Sequence, residues 1–446
     1  MQPTLDQRFA DAMGQLLGPD FPTDIGLAVS GGGDSMAMLY LAHNWTHRWG
    51  VRLWVVTVDH GLRADSAAEA AMVARTSAML GWPHATLRWQ WDGAGNKMDA
   101  ARRARLDLIG RWCGTLRHVL MAHNADDVAE TFVMRLARGS GVDGLSAMAA
   151  QREIAGGDAG PLDITGARPP ARHPEEAPGF TVVRPCMDMA RDDLRHYLRV
   201  LRGEWVEDPS NDDPAYDRAR VRAARDVMAG VGLTPDTLTA TARRMARARD
   251  ALRGLAAQHW DASGHEDRRT GTVRLARGGF AAAPRDTQMR LLAAALQYVA
   301  SADYRPREDA LEAVLDRLLA GGAGTLHGCA LRTDPDSLLI LREAQAITTT
   351  ETRVGDGRLW DRRWRVFHKD FRGLPIRALG DEGWRLLPAP RAAAAPPHAT
   401  AITLPAIWDN GRPVACDALD LGPGDTTRLC PQGRLGMDLR QFLVSH

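Results

Sequence analysis

The sequence predicts an α/β protein: a doubly wound parallel sheet, then a mainly helical domain, then a small α+β C-terminal domain. Three observations predict it. Short apolar runs alternate with helical patterns over the first 222 residues, which is the signature of βαβ units. The first apolar run leads directly into Ser30-Gly-Gly-Gly-Asp-Ser35 and then into a helical pattern. Beyond about residue 222 helical periodicity continues with no expected strand, until hairpin and turn signals take over near residue 325.

In order, residues 4–17 read as an amphipathic helix and residues 25–29 as a buried parallel strand. Residues 36–42 are helical. Residues 51–59 form a second strand, ending in Asp59-His60-Gly61-Leu62-Arg63. Ser66 and Glu69 fit a capping box opening a helix to about residue 80. A weak alternation over 84–91 predicts a third strand, 99–112 a helix, 117–122 a fourth strand, and 126–138 a helix stopped by Gly139. Residues 151–179, rich in Gly, Pro and charge, are expected to be an insertion or mobile loop. A fifth strand over 180–185 and a helix over 191–201 follow. Residues 235–262, 284–300 and 306–320 are expected helices, with a hairpin of 325–332 and 337–342 after them. Short strands with Pro/Gly turns continue from about 354. The expected domains are therefore 1–222, 223–350 and 351–446.

Composition narrows the class. The 446 residues are 45% hydrophobic and 25% charged, with net charge +1, so no global basic field exists and nucleic acid must be held by local patches. Only Lys97 and Lys369 are lysines among 56 cationic residues. Arginine suits bidentate phosphate contacts, although a GC-rich coding bias also enriches it. Five scattered cysteines without a C-x-x-C argue against a disulfide framework and a zinc ribbon. No signal peptide is evident and no apolar stretch approaches ~18 residues, so a cytoplasmic protein with no membrane partner is expected.

The chemistry-bearing stretch is Ser30–Ser35. A glycine-rich turn at a helix N-terminus presents backbone N–H groups to an anion. The loop has no Walker lysine, so charge balance for a polyphosphate falls to a divalent cation near Asp34. Ser30, Asp59 and His123 all follow strand ends and should meet in one crevice. Asp59, His60 and Arg63 place an acid, an imidazole and a cation at one strand end, unless Asp59 merely caps its turn. Asp126 and Asp127 favour the helix dipole, a sufficient reason for many such pairs. Yet Asp127, Thr131, Arg135 and Arg138 fall on one helix face, which suggests a stripe facing a site. Arg102 and Arg105 are neighbours on another helix. Arg218, Arg220 and Arg222 alternate, so they are not expected to share a face.

Ser30-Gly-Gly-Gly-Asp-Ser35 resembles the SGGxDS signature of the PP-loop ATP pyrophosphatases, which have an adenine nucleotide alpha hydrolase-like fold. With Asp59–Arg63, Ser66 and Glu69, Ala101-Arg102 and Arg105, Ala122-His123, Asp126-Asp127, Glu130-Thr131, Arg138–Gly141, Arg184-Pro185, Trp205 and Asp208-Pro-Ser-Asn211, the pattern over residues 22–222 resembles the tRNA(Ile)-lysidine synthetase family. Asn124, Leu106 and Ala219 stand where that family usually has His, Tyr and Asn.

The resemblance implies a ligase that uses ATP and Mg²⁺ to join free L-lysine to the wobble cytidine of an isoleucine tRNA with a CAU anticodon. It implies that Ser30, Gly31, Gly32, Gly33, Asp34 and Ser35 hold ATP, with Asp34 also on the metal. Asp59, His60, Arg63, His123, Asp126 and Asp127 become catalytic candidates. Arg102, Arg105, Glu130, Thr131, Arg138, Asp208 and Asn211 become substrate candidates. Both later domains would grip tRNA, and a homodimer is among the assemblies open to it. Two alternatives stand beside this reading: a PP-loop tRNA thiolation enzyme, and a non-catalytic RNA-binding module with a decayed nucleotide site.

Overall fold

The computed structural model describes residues 3–61, 65–91, 93, 97–155, 162–173, 179–207, 217–388 and 395–445. The chain divides into two compact units, Met1–Arg249 and Asp250–His446.

In the first unit the elements run α1 (Leu5–Leu17), β1 (Asp24–Ala28), α2 (Gly33–Trp49), β2 (Arg52–Asp59), α3 (Ser66–Met79), β3 (His84–Arg88), α4 (Lys97–Trp112), β4 (His118–Met121) and α5 (Ala125–Leu136). Then come α6 (Val142–Leu145), β5 (Gln151–Ala155), β6 (Ile164–Gly166), β7 (Gly179–Val183), α7 (Arg191–Leu201), α8 (Asp217–Ala223), α9 (Arg225–Gly230) and α10 (Pro235–Ser263), whose residues from Asp250 on belong to the second unit. Seven strands form one sheet in the order β5-β7-β4-β1-β2-β3-β6. The five inner strands are parallel, and β5 and β6 close the edges antiparallel.

Alternation along the strands feeds two cores. Ile25, Leu27, Leu53, Val55 and Leu120 pack with α1, α2 and α7, while Val56, Val119 and Met121 pack with α4. The chain leaves β1 toward β2 on one side and reaches β4 on the other, so the switch point lies between β1 and β4. The Ser30 loop and the His123 turn follow those two strands.

The second unit carries a five-stranded antiparallel sheet, ordered Gly324–Leu326, Cys329–Thr333, Ser337–Arg342, Thr272–Ala276 and Gly264–Asp267. Arg285–Ala300 and Glu308–Leu319 pack on it, together with the terminal helix Leu439–Ser445. A second core lies around a four-stranded sheet of Thr352–Arg353, Pro375–Ala378, Pro405–Asp409 and Arg412–Ala415. Trp364–Val366 and Thr427–Leu429 pair beside it.

Four expectations are corrected. Strands do intervene between residues 262 and 284: Gly264–Asp267 pairs with Thr272–Ala276, so this region is α+β rather than helical. The first of these strands has no apolar alternation to reveal it. The stretch 325–332 is not one strand but is folded back at His327-Gly328, both at positive φ as a two-residue hairpin turn requires. The expected loop 151–179 contributes the edge strands β5 and β6, too short and polar to read as strands. Ser66 does not cap α3; the chain enters through Asp65, already in helical geometry, and no side-chain cap forms.

Candidate active site

The Ser30 loop is built around one hydroxyl. Ser35 Oγ accepts from the Ser30 N–H (3.1 Å), donates to the Gly32 carbonyl (2.9 Å) and lies 3.2 Å from Ser30 Oγ. Gly31 sits at φ +89°, where a side chain is strained. Gly32 precedes α2 without a side-chain cap, which leaves the first-turn N–H groups available to an anion. The far side of the loop is covered by residues 205–207. The Val206 N–H donates to the Gly31 carbonyl (3.0 Å), and Trp205, bonded to Glu207, lies against Gly33.

Next to the loop, α5 begins with a reciprocal cap. Asn124 Oδ1 accepts from the Asp127 N–H (3.0 Å) and Asp127 Oδ2 from the Asn124 N–H (3.1 Å). This cap places Asp126, Asp127 and Glu130, all buried, at the start of the helix. Four arginines answer the acids. Arg191 Nη1 lies 2.9 Å from Glu130 Oε1, its Nη2 3.2 Å from Asp127 Oδ1, and its Nε 3.5 Å from Asp34 Oδ2. Arg222 Nε lies 2.7 Å from Glu130 Oε1, and Arg218 Nε 3.2 Å from Glu130 Oε2. Arg225 pairs with Asp126 at 3.5 Å. Asp126 Oδ2 also accepts the Arg191 backbone N–H (2.8 Å) and so caps α7 from outside. The arginine contacts correct one expectation: α8 puts Arg218 and Arg222 four apart on one face, and Arg220 alone turns to Asp217.

Burial pushes the Asp34 carboxyl up to about 6; Arg191 opposes this, and the charge of Asp127 adds to it. One Asp34 oxygen, Oδ1, is buried without a partner. That oxygen would suit a hard divalent cation, with the Asp127 carboxylate beside it. Among the described residues no group of three or more His, Cys, Asp or Glu is placed to hold a metal ion.

His123 sits among cations. Burial first, then the charges of Arg184, Arg218, Arg102 and Arg105, push its pKa down to about 3. Its Nδ1 accepts from Arg184 Nε at 3.2 Å, so the neutral ring carries its proton on Nε2. His60 is pushed down to about 4 by burial and Arg105, against Asp59. Both its ring nitrogens are buried without a partner, and the ring meets Trp89 edge-on.

The structure thus brings together Ser30–Ser35, Asp34, Asp126, Asp127 and Glu130, and sets His123 near Arg102 and Arg105. Asp59 Oδ1 accepts the Gly61 N–H at 2.9 Å, the turn-capping arrangement. Thr131 is half-buried one turn beyond Asp127. Arg135 binds the carbonyls of Gly144 and Ser146, and Arg138 is exposed and paired with Asp217, so the supposed stripe does not continue into the acid cluster. Arg63, Asp208 and Asn211 lie outside the described residues. Arg191, missed in the sequence, had one signal: a cation in a first helical turn opposes the dipole and needs acids nearby.

The five cysteines are all buried. Burial raises the thiols of Cys113, Cys186 and Cys430, and pushes those of Cys329 and Cys416 up to about 12. None has the exposed, electropositive setting of a reactive thiolate.

A profile of the PP-loop domain matches residues 5–225. A tRNA(Ile)-lysidine synthase of Ruegeria pomeroyi is 38% identical over 414 residues, which is 92% of this chain and 91% of the relative. One from Wolbachia pipientis wMel is 30% identical, over 83% of this chain and 80% of that protein. One from a Bradyrhizobium species is 38% identical, over 66% of this chain and 80% of that protein.

Proposed function

Because the chain belongs to the tRNA(Ile)-lysidine synthase family, we propose that it is an ATP-dependent ligase forming lysidine at the wobble cytidine of an isoleucine tRNA with a CAU anticodon. The cytidine O2 attacks the α-phosphorus of ATP and pyrophosphate leaves. The ε-amine of free lysine then attacks C2, the C–O bond breaks, and AMP leaves.

The observation that carries this reading is the buried pair Asp127 and Glu130 beside the glycine loop. Lysine must be held as a cation yet attack as a free amine, so it needs carboxylates that bind the ammonium and take its proton. Ser30–Ser35 holds the pyrophosphate portion of ATP on the open N-terminus of α2. Asp34, with its unpartnered oxygen, is the residue for Mg²⁺, which stabilises the leaving pyrophosphate when bound. Arg102, Arg105 and Arg63 serve phosphate or developing negative charge, with Arg138, Asp208 and Asn211 on the RNA side. Neutral His123 and His60 offer hydrogen bonds rather than charge. The cytidine is unstacked to reach the site. Residues 223–350 and 351–446 grip the tRNA backbone and shape with arginine. The buried, neutral thiols weigh against the thiolation reading.

The test supplies ATP, Mg²⁺, labelled lysine and unmodified isoleucine tRNA, with methionine tRNA as control. Label in the isoleucine tRNA alone, lost in Asp34→Ala, is the expected result. ATP consumption without label would point to another PP-loop modification, and no ATP consumption to a binding module.

A further inference from the structure

Arginine at the first position of a helix faces the positive end of the dipole, so Arg191 stands there against its local preference. What compensates is outside the helix. Its backbone N–H goes to Asp126, and its guanidinium spreads over three acids from two helices: Asp34 on α2, and Asp127 and Glu130 on α5. The side chain is only 13% exposed. The other arginines of the cluster are more local. Arg218 and Arg222 reach the acids of α5, and Arg225 reaches Asp126 and Asp192. Among the described residues, Arg191 alone lies within ion-pair distance of both Asp34 and the α5 carboxylates.

The proposed reaction divides between these helices. Adenylation needs the nucleotide loop and Asp34; amine transfer needs Asp127 and Glu130. We infer that Arg191 is a positioning residue that couples the two half-sites, its planar fork fixing the carboxylate of Asp34 relative to those of Asp127 and Glu130. The inference rests on the functional reading above. The geometry uses three separate nitrogens of the fork, which a point charge cannot reproduce. Arg191 therefore serves both steps while touching neither reacting atom, whereas Glu130 serves only the second.

The experiment compares full-length wild type, Arg191→Gln, Arg191→Lys and Glu130→Gln in two readouts. One is pyrophosphate release with ATP and tRNA in the absence of lysine; the other is KM for lysine in the complete reaction. Arg191→Gln is expected to slow pyrophosphate release and to raise the lysine KM, each by about tenfold or more. Glu130→Gln, which also loosens one arm of the Arg191 fork, is expected to raise the lysine KM by a larger factor than it slows pyrophosphate release. Arg191→Lys keeps the charge, and is expected to recover at most one of the two parameters. Should Arg191→Gln prove unable to fold, Arg191→Lys carries the test. Movement of only one parameter in Arg191→Gln, or wild-type values of both in Arg191→Lys, overturns the coupling. Wild type that consumes ATP but never incorporates lysine overturns the functional reading itself, and the coupling with it.

Discussion

Asn124 and Asp127 cap one another, each side chain accepting the other's backbone N–H at 3.0–3.1 Å. The same carboxylate that closes the helix start also reaches Arg191 through its second oxygen. The cap therefore orients a site residue as well as a helix. Asn124→Ala should cost about 1 kcal/mol of stability and also raise the KM for lysine, because Asp127 loses its anchor. Thermal melting and steady-state kinetics check both. Asn124→Ser, a good cap, should restore the stability.

Asp34→Asn should abolish magnesium-dependent pyrophosphate release while leaving the fold intact. The amide keeps the shape but lacks the charge that a divalent cation requires. Removing that charge also leaves the half-buried Arg191 two of its three acid partners. Titration calorimetry with Mg²⁺ and a non-hydrolysable ATP analogue reads the loss directly. Unchanged metal-dependent nucleotide binding would remove Asp34 from this role.

Gly31→Ala should lower activity through the loop rather than through folding of the sheet. The residue stands at φ +89°, a conformation costing a side chain about 1 kcal/mol or more. An added Cβ would also touch Met72 of α3 at 3.4 Å. The expected signature is a raised KM for ATP with a small drop in melting temperature.

Acid should unfold the first unit sooner than its carboxylates alone would suggest. His60, His84 and His123 have pKa values pushed down to about 4, 4 and 3, each mainly by burial. The unfolded chain binds these protons near pH 6.5, so the folded state binds fewer protons below that point. Their contribution is complete above pH 6.5 and is lost progressively as pH falls toward 3–4. Melting temperature against pH should fall below pH 6.5, and His123→Gln should flatten that fall.

The nucleotide side of the site was legible because its signal is local: one strand, three glycines and two hydroxyls adjacent in sequence. The parallel sheet was legible because its buried strands are continuous apolar runs. The hairpin Gly264–Asp267 with Thr272–Ala276 was not, because its first strand is polar and its turn sits inside a charged stretch. Arg191 was not singled out, and Arg222 was not expected to share a face with Arg218, because their common partner Glu130 is 61 and 92 residues away in sequence, and only the packing of α7 on α2 and of α8 on α5 joins them. Asn124 looked like a departure from a pattern. Its role as a cap depends on Asp rather than Glu or Gln at the third helical position, outside the usual box.

The five cysteines, all buried and held in the thiol form, make the native chain a silent background for maleimide chemistry. A single cysteine introduced on an exposed face can then carry a dye or spin label without first deleting the others. Distances between labelled positions on the two units can be followed as ATP, lysine and tRNA are added, in a protein whose own sulfur atoms take no part.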